Sequence, residues 1–379
     1  MKTPLKTDYL IVGSGLTGSV IARLLADTGA DVLVVDRREH IGGNVYDEVH
    51  ACGIWMNRYG PHYFRTNSER IWSFVNRFSK FYPYEAIIKT MIDGQCEHWP
   101  VNLSYVRRAA GEDWQPGFTG EASNFEEGAL SKMPGIVYEK FIKGYTQKQW
   151  GKEPRFLSAK LARRIELRES SDPRLMQHKY QGIPENGYTP WVKQMLEGVK
   201  LELGCDYLKT KERFIVAKKL IFTGCIDEFF DFKLGKLAYR GQQRTTRYYP
   251  DQEHYQSCGQ VNYPSLQDGP QIRDIEWKYM MDPARLKGVK GTLVTQEVPF
   301  TPGNCDQNEY PMADEENTLL YQKYQALAAD MPQLVLCGRL ATYQYLDMDQ
   351  AIAKAMVCAN YILNKPMGAD VHDLNHQTH

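Results

Sequence analysis

The tightest constraint on how this 379-residue chain can fold lies in residues 9–44, YLIVGSGLTGSVIARLLADTGADVLVVDRREHIGGN. The apolar run Tyr9–Val12 leads into Gly13-Ser14-Gly15-Leu16-Thr17-Gly18. A helical pattern and a second apolar run follow, ending at Asp36. Strand, glycine turn, helix, strand and acid in this order are the opening of an α/β fold that binds a dinucleotide. Gly13 permits the tight turn, Gly15 lets the backbone approach a pyrophosphate, and Gly18 lets helix pack close against strand. Leu16 and Thr17 start a helix whose free N–H groups and positive dipole end face the phosphates. Asp36 is placed to accept hydrogen bonds from a ribose. The loop Arg37–Asn44 carries Gly42-Gly43, where backbone can lie against a flat ligand.

Composition narrows the class. Forty-six basic and 46 acidic side chains cancel, which argues against nucleic acid or an anionic membrane as partner. No uninterrupted apolar stretch approaches the ~18 residues of a membrane span, and the glycine turn interrupts the stretch after Lys2 and Lys6 that could mimic a signal peptide. Eight cysteines make no CxxC pair and nine histidines no HExxH. We therefore expect reduced thiols, a cytoplasmic enzyme and no metal. The 24 tyrosines suit a site that stacks rings and hydrogen-bonds phosphate through phenols.

Further along, Thr66 and Glu69 form a capping-box pattern for a helix carrying Ile71, Trp72, Val75 and Phe78. Ala86–Ile92 and Cys96–Val101 read as strands joined by the hairpin signal Asp93-Gly94. Residues 103–166 are helical in pattern, broken near 111–120, with Ile136, Val137, Phe141 and Ile142 on one face. Ile183 to Thr189 reads as a loop into a helix carrying Trp191, Met195 and Leu196. Residues 213–223 read as a strand returning to the nucleotide sheet, and 238–300 as an antiparallel sheet. Leu334–Gly338 is a strand into a glycine turn, followed by a helix from Met348 to Leu363. The expected fold is α/β. A discontinuous Rossmann-like dinucleotide domain (1–80, 190–235, 315–365) encloses a helical domain (103–166) and an antiparallel sheet domain (82–102, 167–189, 236–314). A disordered tail covers 366–379.

Five segments in order, VDRREHIGGN, GYTQKQWG, KYQGIPENGYT, TGCIDEFFD and CGRLATYQYLDM, resemble bacterial UDP-galactopyranose mutases, and the likeness runs to about residue 365. The resemblance implies an FAD enzyme, a cytoplasmic homodimer, serving cell-surface polysaccharide synthesis. It implies redox-neutral interconversion of pyranose and furanose forms of a nucleotide-diphosphate sugar. The flavin, reduced by NAD(P)H or a reductase, uses its N5 as the nucleophile.

By the same resemblance, Phe141, Tyr145, Thr146 and Trp150 surround the uridine. Arg168, Arg273, Tyr310 and Tyr345 hold the diphosphate, since a doubly charged leaving group needs arginine forks and phenolic donors. Tyr180 lies by the sugar and flavin, and His62 beside the isoalloxazine. Gly338, Arg339, Tyr345, Asp347 and Met348 join Gly13, Gly15, Leu16, Thr17, Gly18, Asp36, Arg37, Gly43 and Asn44 around the FAD.

Departures from the family pattern cluster around the expected sugar. HYFRT carries Arg65 where a second histidine is usual. Arg168-Glu169-Ser170-Ser171-Asp172 stands for RFTFD, Pro83-Tyr84-Glu85 for an NSP-like context, and TGCID for TGPID. Two sugar readings follow: UDP-galactose, or a different donor such as UDP-N-acetylgalactosamine or dTDP-fucose, because altered polar partners in a wall discriminate between sugars. A reading of another class is an FAD oxidoreductase of amine-oxidase type, because the glycine fingerprint is common to both.

Overall fold

The computed structural model describes residues 4–312 and 314–364; the tail expected at 366–379 lies outside them. The first strand, Leu5–Val12, runs through the middle of a five-stranded parallel sheet. In spatial order the sheet is Lys200–Glu202, Val32–Val35, Leu5–Val12, Phe214–Phe222 and Leu334–Leu336. Numbered along the chain this is 3-2-1-4-5, so the order reverses beside the first strand. A ligand crevice belongs at that point, past the carboxyl ends of the strands.

The glycine turn opens onto this crevice. Gly13 has φ +112°, and a Cβ there would meet Thr223 Oγ1 at 2.0 Å. A Cβ on Gly18 would meet the Gly13 carbonyl oxygen at 1.9 Å, so the helix Leu16–Ala26 packs onto the turn itself. That helix buries Leu16, Val20, Ile21 and Leu25 against Ile352, Ala355 and Met356 of the closing helix Met348–Ile362. Trp191, Val192 and Met195 complete this apolar layer from the helix Tyr188–Met195.

A second sheet of seven strands gathers distant segments: Tyr310–Pro311, Tyr239–Tyr249, Thr292–Phe300, Arg273–Glu276, Gln260–Asn262, Ile88–Ile92 and Gln95–Trp99. It is antiparallel except where Gln260–Asn262 runs parallel to Ile88–Thr90, a pairing that two segments far apart in sequence can make in either sense. The hairpin turn is at Asp93 and Gly94, both with positive φ. A helical unit, Leu103–Trp150 with further turns to Arg164, covers one face of this sheet around its own core of Val106, Phe125, Met133, Phe141 and Leu157.

Several local readings change. The cap of the helix Glu69–Val75 is Ser68, whose Oγ accepts from Ile71 N at 3.3 Å; Thr66 instead accepts from Ser68 N. Of the expected face Val137, Phe141 and Ile142 are buried, while Ile136 is exposed and Tyr138 is buried instead, at the start of the π-helical turn Tyr138–Lys143. Tyr180–Pro184 is a strand, and it pairs with Phe64–Thr66 and Phe81–Pro83 in a small three-stranded sheet outside the seven-stranded one. The helix Glu315–Ala329 was not anticipated.

Candidate functional site

Two cavities occupy the crevice. One, of about 230 Å³, runs along the glycine turn and the start of its helix. It is lined by Gly13, Gly15, Leu16, Thr17, Gly18, Asp36, Arg37, Gly43 and Gly338 of the residues expected around a cofactor. The other, about 390 Å³, lies between the seven-stranded sheet and the helical unit. Asn44, His62, Arg339, Asp347 and Met348 line both, so the cavities meet there.

The first cavity fits a dinucleotide. Gly15 caps the helix Leu16–Ala26 without any side-chain cap, which leaves its first N–H groups free for an anion. A Cβ on Gly43 would come within 2.8 Å of Gly15 Cα, so the two backbones press together and leave the cavity bare of side chains there. Asp36 is fixed by Ser14 N and Oγ, each at 2.7 Å, and by Arg38 N at 2.9 Å. An ionised carboxylate has about four acceptor sites, so one remains for a ribose hydroxyl. Arg37 is committed to Glu228 at 2.6 Å and Asp306 at 3.0 Å and closes the rim.

The larger cavity gathers Phe141, Tyr145, Thr146, Trp150, Arg273, Tyr310 and Tyr345. The first four come from one helical run, Tyr138–Trp150, which lies on the sheet at Gly144: a Cβ there would meet the Pro264 carbonyl oxygen at 2.2 Å. Lys148 ties the run down by donating to the carbonyls of Tyr263 and Gln271 at 2.8 and 3.0 Å. Tyr310 and Tyr345 stack with centroids 5.7 Å apart, and Arg164 lies 3.8 Å from the Tyr345 ring centroid. Burial raises the hydroxyl pKa of Tyr310 and Tyr145 despite nearby Arg273, so both phenols stay protonated donors.

Arg273 sits in a buried four-charge chain. Its Nε donates to Glu297 Oε2 at 2.5 Å, and Arg244 Nε donates to Glu297 Oε1 at 2.8 Å. Arg244 also holds Glu309 through two 2.8 Å bonds. Burial opposes ionisation of Glu297, but the two guanidinium groups hold its pKa below the ordinary value. No hydrogen bond among the described residues uses the Nη groups of Arg273, which leaves them for an anion. Arg65, Arg164, Arg273 and Arg339 outnumber Glu309 and Asp347 on the cavity wall.

His62 stands at the junction. Its Nδ1 lies 2.8 Å from the Gly60 carbonyl oxygen, which can only accept, so the proton is on Nδ1 and Nε2 is an acceptor. Burial pulls its pKa down to about 4, and Arg339 and Arg244 push the same way. The ring is neutral at physiological pH.

Two expected residues lie elsewhere. Arg168 lines neither cavity: it is buried, donating to Glu166 at 2.8 Å and to the carbonyls of Leu175, at 2.7 Å, and Arg174. Its strand pairs with Val101–Asn102, and the loop behind it captures the guanidinium. Tyr180 stacks on Trp72 with centroids 5.0 Å apart and donates to Glu69 at the surface, because its strand belongs to the small sheet. Tyr345, expected at both ligands, lines only the larger cavity, and Glu169, Ser170 and Ser171 line neither. Among the departures only Arg65 reaches the chamber, where it pairs with Asp347 at 3.0 Å. Residues not anticipated there include Thr90, Gln149, Arg164, Gln260, Asn262 and Glu309. The i, i+2 spacing of Gln260 and Asn262 on a strand was the available clue.

A family described as UDP-galactopyranose mutase matches residues 140–345, and a Rossmann-like NAD(P)-binding domain matches residues 11–78. The chain is 35% identical to dTDP-fucopyranose mutase of Escherichia coli, over 94% of this chain and 98% of that protein. It is also 35% identical to a probable UDP-galactopyranose mutase of Klebsiella pneumoniae, over 94% and 95%. Among solved structures, reduced UDP-galactopyranose mutase superposes with a TM-score of 0.71 at 14% identity, covering 97% of this chain and 99% of that one. A redesigned putrescine oxidase superposes at 0.63, covering 95% and 100%. These likenesses place the fold among proteins with both kinds of chemistry, so the family rests on the sequence matches.

Proposed function

We propose a function from one premise: this chain belongs to the UDP-galactopyranose mutase family. It interconverts the pyranose and furanose forms of a nucleotide-diphosphate sugar without net oxidation. The observation that carries this reading is the meeting of a dinucleotide cavity with a cationic, aromatic chamber at His62. FAD, when bound and reduced, supplies a nucleophilic nitrogen.

The chain's own residues do the rest. Gly13, Gly15 and the N-terminus of the helix Leu16–Ala26 hold the cofactor pyrophosphate, and Asp36 takes a ribose hydroxyl. Phe141, Tyr145 and Trp150 form the aromatic walls for a base. Arg273, with protonated Tyr310 and with Tyr345, binds the diphosphate and stabilises its charge as the bond to the anomeric carbon breaks. Neutral His62 offers Nε2 as an acceptor without adding a cation beside the cofactor. Arg168 is held away from this arrangement by its own loop, so the clamp is built on Arg273.

Two donors remain in view, UDP-galactose and a deoxy or otherwise altered sugar such as dTDP-fucose. Arg65 favours the second, because a guanidinium in place of an imidazole changes the partners offered to the sugar hydroxyls. The enzyme works as a cytoplasmic homodimer kept reduced by NAD(P)H or a reductase. Among the described residues no helix is long and apolar enough to cross a membrane. The test is Arg273→Ala: the variant is expected to retain FAD and to lose ~100-fold or more in turnover of its donor. Unchanged turnover would remove Arg273 from the clamp, and peroxide formed by the oxidised protein with an amine would favour the oxidoreductase.

A further inference from the structure

On the wall of the cofactor cavity, which Cys225 and Cys305 line, the chain brings together the sulfurs of these two residues and a carboxylate oxygen of Asp227, all within 4.8 Å of one another. Cys225 is the residue that departs from the proline of TGPID, and the catalytic reading gives it no role. We propose that these three side chains form a binding site for a thiophilic divalent cation, with Zn²⁺ the fitting ion.

Sequence spacing hides the site, since 80 positions separate the two cysteines. The fold closes that gap. Cys225 follows the strand Phe214–Phe222 and starts the short helix Ile226–Phe229, while Cys305 starts the helical turn Cys305–Gln307 in the loop before the last strand of the seven-stranded sheet. Cys225 and Asp227 are each 1% exposed, and Cys305 is half-buried and reaches the cavity wall.

A second observation points to a cation as the ligand. Asp227 Oδ2 accepts from Leu237 N at 2.9 Å, but Oδ1 is buried with no hydrogen-bond partner. A buried carboxylate oxygen without a partner is costly. No salt bridge among the described residues reaches Asp227, and the nearby Arg37 is spent on Glu228 and Asp306. Asn308 Nδ2 donates to Cys225 Sγ at 3.4 Å, the kind of contact that supports a metal-bound thiolate.

The donor set selects the metal. Two thiolates and one carboxylate suit Zn²⁺, which takes sulfur at about 2.3 Å and carboxylate oxygen at about 2.0–2.2 Å in tetrahedral geometry. Ligands at those lengths stand roughly 3.5–4 Å apart, so small rotations of three short side chains close the cluster. Water from the cavity fills the fourth position. Binding displaces the two thiol protons to solvent and changes no oxidation state. The ion would clip the loop of the sheet unit to the dinucleotide unit beside the cofactor cavity.

The test uses the thiol-reduced, FAD-loaded protein. Co²⁺ is added anaerobically and its ligand-field bands are read at wavelengths longer than flavin absorption; Zn²⁺ retained after a weak chelator is counted by mass spectrometry. We expect about one ion per chain, tetrahedral Co²⁺ bands with thiolate character, and loss of both in Cys305→Ser and in Cys225→Pro. The proline variant restores the family residue, and normal circular dichroism and FAD content show that it has folded. Asp227→Asn, which keeps an acceptor for Leu237 N, is expected to weaken retention. Wild-type protein that binds neither ion, whether its two thiols stay free or are found joined as a disulfide, would overturn the site. So would retention of the ion by both cysteine variants.

Discussion

Arg273 donates to one oxygen of the Glu297 carboxylate at 2.5 Å while Arg244 holds the other at 2.8 Å. A carboxylate with no exposed surface thus fixes an arginine of the chamber whose Nη groups are left for an anion. Glu297→Gln removes the charge that aligns the pair. Breaking a buried ion pair costs about 3–5 kcal/mol, so the melting temperature should fall. Misplacement of Arg273 should lower kcat/KM by ~100-fold, with FAD content retained. Wild-type kcat/KM in this variant would show that Arg273 is not positioned by Glu297.

His62 makes stability depend on pH with a definite sign. Its folded pKa of about 4 lies below the ordinary 6.5, so the unfolded chain takes up the proton more readily. The contribution is fully present above pH 6.5 and is lost as pH falls towards 4. Its size is at most roughly 3 kcal/mol, since the ring also faces the cavity. His62→Gln should flatten the decline in melting temperature over this window relative to wild type. A parallel decline in both proteins would contradict the half-buried neutral ring.

Arg168→Ala tests a residue that the family pattern assigns to the diphosphate and the structure does not. The substitution leaves the carbonyls of Arg174 and Leu175 without their donor and should cost roughly 1–3 kcal/mol. Affinity for the nucleoside diphosphate should change little. A large loss of affinity at unchanged melting temperature would return Arg168 to the clamp.

Gly144→Ala places a Cβ against the Pro264 carbonyl oxygen, which lies 2.2 Å from that position. The helix carrying Tyr145 and Trp150 must lift off the sheet. KM for the donor should rise while FAD binding is kept, because the cofactor cavity touches neither residue. An unchanged KM would mean that this contact does not set the chamber.

Much of this was legible because local chemistry enforced it. Gly13 and Gly18 have neighbours that exclude any side chain, and Asp36 ends a fully buried strand. Residues whose places depend on strand pairing were not legible. Tyr180 follows its strand into the small sheet, and Arg168 follows its loop carbonyls. The helix Glu315–Ala329 buries only Asn317 and Tyr324, too weak a stripe to read. Ser68 and Thr66 are chemically alike as caps, and only backbone geometry chooses between them. Gln260, Asn262 and Glu309 carry no motif and enter the chamber through sheet register.

The central claim is that the cofactor acts on a nucleotide sugar without net oxidation. The most direct measurement compares one preparation in two states, dithionite-reduced under argon and fully oxidised. Each is offered UDP-galactopyranose, dTDP-fucopyranose and UDP-N-acetylgalactosamine, with products separated by chromatography. The reduced protein is predicted to form a furanose isomer from at least one donor, with no oxidised sugar, and the oxidised protein to form none. No isomer from any donor in the reduced state, or equal yields in both states, would contradict the account.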